Sequence, residues 1–569
     1  MSARRTREKT VQNSLNTDEV VMRSLMTGVA LLAVALMAAG CGGGADELRV
    51  HSERSLALGQ PVVMNEAMVF LDKENQEIVV VRSEVVDGTP NLEAERHRTG
   101  KRPVQMKPAA DGSSLYVLNR DDRTLSVFEI GAEEVERADV ELDSVYDRIT
   151  MDPFGEFVLL SNSGDAKDAV AQNLNELGII DVRDGIPERP DVLSLPVAAM
   201  DLQLGPPFEM EGESQRLAAA LAPDEVAIVD LHAEADYDRV RTAPLSPRDS
   251  KHIHNPTQVL FDVPAEGSDR KAVSLFVLDD RGNDVTQIMV QPSIRPDQHH
   301  KFDVSLNQLA AGDNPAHITV LDLGDVGKRL VALDGSSPRF TVVDISSTEA
   351  ATFDLPMTQP ARGLHTYFHD VPGQDRIEKR LLAYSPHSSR VAVIRPEQIS
   401  LGSQTASPGQ AVDQIRLSQP PSQVLIDDAG DVVDRAVVLH GGGDDGFTVL
   451  NLETNRETTW TGHTLAHVVV DGSHGYGIFA NSPHLLRVDL EELRSQIFEL
   501  PETGRQIHLS ADNETVLVQH DGAAGRFTVM PRGDLGLESA VQYEHVFLRE
   551  ILNRHDDVEE ANDSDDDSE

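Results

Sequence analysis

The sequence predicts an all-β protein, a propeller of four-stranded antiparallel blades with about ten blade-like repeats. Three observations point there. Short apolar runs recur between Glu53 and Glu550 with polar turns between them. The runs come in pairs, ten in all, spaced 39–60 residues apart. A third apolar run, carrying a polar residue at its start, precedes most pairs.

In chain order the pairs begin with Ala67–Leu71 and Ile78–Arg82, then Leu115–Asn119 and Leu125–Ile130. Phe157–Ser161 with Gly178–Val182, Leu217–Leu221 with Val226–Leu231, and Val273–Leu278 with Val285–Val290 follow. Next come Arg329–Leu333 with Phe340–Ile345, Leu381–Ser385 with Val391–Arg395, and Ala436–His440 with Phe447–Leu452. Gly477–Asn481 with Leu485–Leu490 and Val516–Gln519 with Phe527–Arg532 complete the set. Strand-length runs at this spacing read as propeller blades of four antiparallel strands. The polar stretch after each pair, as at Glu134–Glu141, suits a blade's outer edge, where one face meets water. The upstream strand reads Val104–Lys107, Ile149–Asp152, Val259–Asp262, Val424–Asp427, Val468–Asp471 and Ile507–Ser510. One large ring is favoured; two smaller rings, or fewer blades with insertions, stay open. The run Asp165–Glu176 has helix formers and is expected to decorate the third blade.

Pro103-Val104-Gln105-Met106-Lys107-Pro108, Asp111-Gly112, Leu115-Tyr116-Val117-Leu118-Asn119 and Thr124-Leu125-Ser126-Val127-Phe128 together resemble the YVTN β-propeller repeat of bacterial surface and secreted proteins. The leading proline recurs at Pro256, Pro315 and Pro421. The resemblance implies a propeller over about Glu53–Met530. It also implies relatives that are lactonase-like enzymes and others that are binding or surface proteins, so it leaves function open.

The N-terminus carries an address. Arg23 precedes an apolar run, residues 25–39, which is shorter than the roughly 20 residues that span a bilayer. Ala38, Ala39 and Gly40 then lead to Cys41, the only cysteine. A positive start, a short apolar stretch and small residues describe a secretory signal over residues 1–40, with Met22 as an alternative start. A single cysteine at the cut resembles the bacterial lipoprotein pattern, which implies lipidation of Cys41 and a membrane held through that lipid. Ala38 stands where that pattern usually has Leu. Gly42 rather than Asp after the cysteine implies the outer membrane. Residues 41–52, opening with Gly42–Gly44, form a flexible tether. At the other end Asp556–Glu569 holds nine acids, and residues 551–569 read as a disordered acidic tail.

The chain has 50 Lys+Arg against 95 Asp+Glu, a net charge of -45. That balance excludes nucleic acid as a partner, because phosphate binding needs clustered cations. One cysteine excludes a disulfide framework and Cys-rich metal sites. Candidate chemistry is thin. The innermost strands open with Arg148, Asp201, Gln258, His317, His365, Gln423, His467 and Gln506. His317, His365 and His467 in equivalent positions are the candidate ligands for a divalent metal, imidazole being the commonest transition-metal ligand. His365/His369 and His463/His467 repeat at i, i+4, on one strand face. The competing reading is a polar channel whose side chains bind water and neighbouring backbone, and it is the favoured one. Asp279–Asp284 and Asp444–Gly446 are acidic turn tips without the spaced ligands of a calcium loop. No catalytic residue and no cofactor is predicted. The expected function is a non-catalytic, lipid-anchored binding or scaffold module for a protein or polymer partner in the cell envelope. A lactonase-like or other hydrolase with a channel metal is the alternative.

Overall fold

Alternation decides the architecture. In the computed structural model, Met68 and Phe70 pack against Phe527 and Val529, while Val69 and Leu71 on the opposite face pack against Leu115 and Val117. Successive side chains of a strand point to opposite faces, so one strand serves two neighbouring sheets. The structure describes residues 61–553 apart from single residues and segments, the longest being 164–172, 234–238, 246–253, 265–271, 294–301, 372–376, 402–410, 427–434, 441–445 and 547–551.

Ten blade sheets follow one another along the chain, each antiparallel and running in chain order inner, second, third, outer, with consecutive strands in all but the fourth. We number them blades 1 to 10. Blade 1 covers Val62–Arg98, blade 2 Pro103–Glu141, blade 3 Arg148–Ser194, blade 4 Asp201–Pro244 and blade 5 Pro256–Ala310. Blade 6 covers Pro315–Asp354, blade 7 Gly363–Arg416, blade 8 Pro421–Thr461, blade 9 Leu465–Glu499 and blade 10 Gly504–Glu544. Leu552–Asn553 adds a fifth strand to the outer edge of blade 10. All ten expected pairs form the second and third strands of a blade.

Each junction between sequential blades holds its own apolar cluster, and a tenth cluster joins blade 10 to blade 1. The ten blades therefore close into a single ring. Phe70 and Phe527 meet edge-on at 6.1 Å across the closing seam. Tyr543 Oη donates to the Pro90 carbonyl at 2.8 Å, and Ser83 and Thr515 hydroxyls pair at 2.7 Å. No strand is exchanged between blades 1 and 10 among the described residues, so the ring is held shut by packed faces.

Burial follows position in the blade. Second strands such as Phe157–Ser161 and Val273–Asp279 are buried along their whole length, whereas the outer strands Val135–Glu141 and Arg494–Glu499 are mostly exposed. Polar residues ending the second strand act as clamps. Asn119 Nδ2 donates to Ser126 Oγ at 2.8 Å, and Nε2 of His440 and of His520 meets Thr448 and Thr528 hydroxyls at 2.6 Å.

Two features differ from expectation. Glu176 opens the third strand of blade 3 and residues 173–175 precede it without helix, because Leu177 and Ile179 are drawn into the apolar cluster between blades 3 and 4; the remainder of the expected helix lies outside the described residues. An extra hairpin, Phe208–Met210 with Glu213–Gln215, is inserted between the first two strands of blade 4. Cys41, the signal and tether segments and the tail beyond Asn553 lie outside the described residues.

Candidate functional site

Six inner strands begin the same way. In blades 2, 5, 6, 8, 9 and 10 the ladder skips one residue after the first pair: Val104, Thr257, Ala316, Ser422, Ala466 and Arg505 are left out. Four of these strands open on Pro103, Pro256, Pro315 and Pro421. Proline has no N–H for the ladder and is confined to strand starts and bulges. The bulge bends the strand and re-aims the next side chain. That next residue is always Gln or His: Gln105, Gln258, His317, Gln423, His467 and Gln506.

Four of these six side chains, those of Gln105, Gln258, His317 and His467, reach sideways to the next blade. Gln105 Oε1 accepts from the Ile149 N–H. Gln258 holds both sides of one peptide residue, accepting from the Ile318 N–H and donating to its carbonyl, each at 3.3 Å. His317 hydrogen-bonds the Arg362 backbone. The Ile507 N–H lies 3.4 Å from His467 Nδ1. Blades 3 and 4 vary the theme: Arg148 donates to the Met200 carbonyl at 2.6 Å and pairs with Asp201, while Gln203 Oε1 accepts from the Val259 N–H at 3.0 Å. Adjacent inner strands share no main-chain ladder. The polar column is therefore a belt that ties neighbouring blades together.

His317, His365 and His467 stand on the inner strands of blades 6, 7 and 9 and are not brought together. Among the described residues no group of three or more His, Cys, Asp or Glu could hold a metal ion. His365 stacks on Tyr384 of its own blade, centroids 5.7 Å apart. His467 uses Nδ1 as acceptor, so in the neutral ring Nε2 carries the proton and offers no lone pair to an ion. His463 lies outside the described residues. Of the acidic turns, Asp279 accepts from the Asn255 N–H at 2.9 Å and pairs with His254, and Asp280 accepts from Asn255 Nδ2 at 3.1 Å. Residues 441–445 are not described.

One place on the inner side differs. A cavity of about 780 Å³ opens where the inner strands of blades 9 and 10 adjoin the start of blade 1, and its polar wall is Asn65, His467, Gln506, His508 and Ser510. The His467 and His508 rings lie 5.9 Å apart. His508 is 8% exposed and its Nε2 has no hydrogen-bond partner. Burial, then the neighbouring His467, pushes its pKa down to about 4; burial also lowers that of His467. Both rings are thus neutral at neutral pH. Ser510 is held by the Thr515 backbone, its Oγ accepting from the Thr515 N–H at 2.9 Å. Sequence reading singled out His467 and Gln506 here and passed over His508. The signal was present: His508 lies two residues beyond Gln506, hence on the same strand face.

No family model matches this chain, and no curated protein matches it. Among solved structures it is similar to dihydro-heme d1 dehydrogenase NirN in complex with DHE, at 12% identity over 79% of this chain and 76% of that one, with a TM-score of 0.38. Apo AztD from Citrobacter koseri aligns at 10% identity over 68% of this chain and 95% of that one, with a TM-score of 0.29. Saccharomyces cerevisiae Sqt1 aligns at 9% identity, 58% and 82% coverage and a TM-score of 0.32.

Proposed function

We propose that this protein is a lipid-tethered propeller of the bacterial cell envelope, of the YVTN type, that binds a protein or polymer partner without catalysing a reaction. The observation that supports this most is the engagement of the inner polar column. Gln105, Gln203, Gln258, His317 and His467 each bond the backbone of the next blade. Side chains in that role stiffen a ring and are withdrawn from chemistry on a substrate. A rigid ring carrying loops on both rims is suited to presenting a binding surface. The membrane is reached through a lipid on Cys41, in the outer membrane by the residue that follows it.

Two measurements test this. Cells given a clickable fatty acid should label the wild-type chain and leave Cys41→Ser unlabelled and released from the membrane fraction; equal labelling of both would remove the lipid anchor. Photo-cross-linking in cells should yield one recurrent partner. A stoichiometric metal in the purified chain, lost on replacing His317, His365 and His467 by Ala, would instead support a metal-dependent hydrolase.

A further inference from the structure

We propose that the cavity at the seam of the ring captures an extended, uncharged peptide segment of a partner protein, read through its backbone amides by His467, Gln506 and His508. The proposal rests on the partner-binding reading above and gives it an address.

The first observation is a short strand. Nine inner strands have four to eight residues, but that of blade 1, as described, is Val62–Val63. Among the described residues it pairs with Val69 and Met68 of the second strand, and blade 1 sets Pro61, Val63, Met64 and Asn65 beside the inner strand of blade 10. The cavity lies there.

The second observation is what the wall offers. Gln506 occupies the position from which Gln258 holds the N–H and C=O of Ile318 in the next blade. Among the described residues Gln506 makes no side-chain hydrogen bond. His508 Nε2 is buried in the same wall with no partner, and an unpaired buried polar group favours any ligand that can bond it. His467 adds an N–H at Nε2. A carboxamide and two neutral imidazoles supply both donors and acceptors, which is what a peptide backbone requires. Elsewhere in this ring the same column already performs that recognition on the chain's own backbone.

The third observation is the absence of charge among the described residues of the wall. None of them is Asp, Glu, Lys or Arg, and the remainder of the described lining includes Val63, Met64, Val469 and Leu509. Such a wall suits a peptide with small apolar side chains, bound as a strand laid beside an existing edge. At a net charge of -45 the surrounding surface favours cationic residues flanking that segment.

The full-length protein, in detergent, is panned against a displayed hexapeptide library, and selected capped peptides are measured by fluorescence anisotropy. Uncharged peptides alternating apolar residues should be enriched, and should bind at least tenfold more weakly to His508→Ala and to Gln506→Ala. His365→Ala, outside the cavity, should bind as wild type. His508→Gln, which keeps hydrogen-bonding capacity, should retain more affinity than His508→Ala, and thermal melts establish that each variant is folded. No enrichment over a His508→Ala/Gln506→Ala double variant panned in parallel would overturn the proposal. So would a photo-cross-linker at Val469 that captures residues 45–60 of the same chain, since the cavity would then be filled from within. A partner cross-linked in cells while no peptide binds here defeats the seam site alone. Failure to find any partner defeats the broader reading.

Discussion

The junction between blades 3 and 4 and the seam between blades 10 and 1 solve one problem in opposite ways. At the first, a fully buried ion pair joins Arg216 of blade 4 to Asp152 at the end of blade 3's inner strand, beneath the Phe154 ring, whose centroid is 4.6 Å from the guanidinium carbon. Asp152 also accepts the N–H groups of Phe154 and Glu156 at 3.0 Å. At the seam the contact is aromatic and aliphatic, with Phe70, Phe527, Val529 and Tyr543 closing it. A buried ion pair depends on both of its members, because either one alone is an uncompensated charge in a poorly polarisable interior. Apolar faces carry no such obligation. The interior junction therefore adds a buried charge pair to its apolar cluster, whereas the described contacts of the seam are apolar packing and two neutral hydrogen bonds.

The largest effect follows from that contrast. Asp152→Ala leaves the Arg216 guanidinium buried without its carboxylate and should cost about 3–5 kcal/mol. The double variant Asp152→Ala/Arg216→Met should cost clearly less than the single, since both charges are gone. At the seam Phe70→Ala and Phe527→Ala should each cost a comparable about 3–5 kcal/mol for the lost ring and cavity, with no recovery in the double. Urea unfolding of the six proteins checks this. Equal losses for Asp152→Ala and its double would mean that the ion pair does not govern its junction.

The same contrast explains what the sequence could disclose. Burial on both faces writes itself into continuous apolar runs such as Leu217–Ala222, so all ten second and third strands could be read. The Pro-x-Gln and Pro-x-His openings marked bulged inner strands, although the bulge itself is a property of the ladder. What each column residue bonds could not be read, because partners such as Gln203 and Val259 are 56 residues apart and meet only when blades stack. Equivalent spacing put His317, His365 and His467 in one column, but a column around a ring is not a cluster. Gln203 escaped notice behind Asp201 because blade 4's inner strand has four residues and no opening proline. As described, the inner strand of blade 1 is Val62–Val63, too short to leave a pattern, so the cavity beside it was not legible in the sequence.

Burial lowers the pKa of His317 and His440 as well, but the largest pH effect of a histidine should belong to His508 at the seam. The His508 imidazole titrates near about 6.5 in an unfolded chain and at about 4 in the fold. The unfolded chain thus takes up a proton that the folded one refuses, so this residue's contribution is complete above pH ~6.5 and is lost as pH falls towards 4. The total is on the order of 3 kcal/mol. His508→Gln should flatten the decline between those limits, measured as urea midpoints at successive pH values. A wild-type and variant pair with parallel curves would show that His508 does not supply that slope.

The smallest effect separates an engaged belt residue from an idle one. Gln203→Ala removes an acceptor from the Val259 N–H and should cost about 0.5–1.5 kcal/mol, the usual net worth of one such bond. Gln506→Ala removes the equivalent carboxamide where it meets a cavity instead of a strand, and should change stability by within about 0.5 kcal/mol, as substitutions free of such contacts do. Hydrogen exchange at the Val259 amide should quicken in Gln203→Ala, whereas the Val62 and Val63 amides should be indifferent to Gln506→Ala. If the two variants lose equal stability, Gln506 already bonds its own ring, and the seam is stitched like the other junctions. If only Gln203→Ala loses stability, the carboxamide at the seam is held in reserve for something other than the fold.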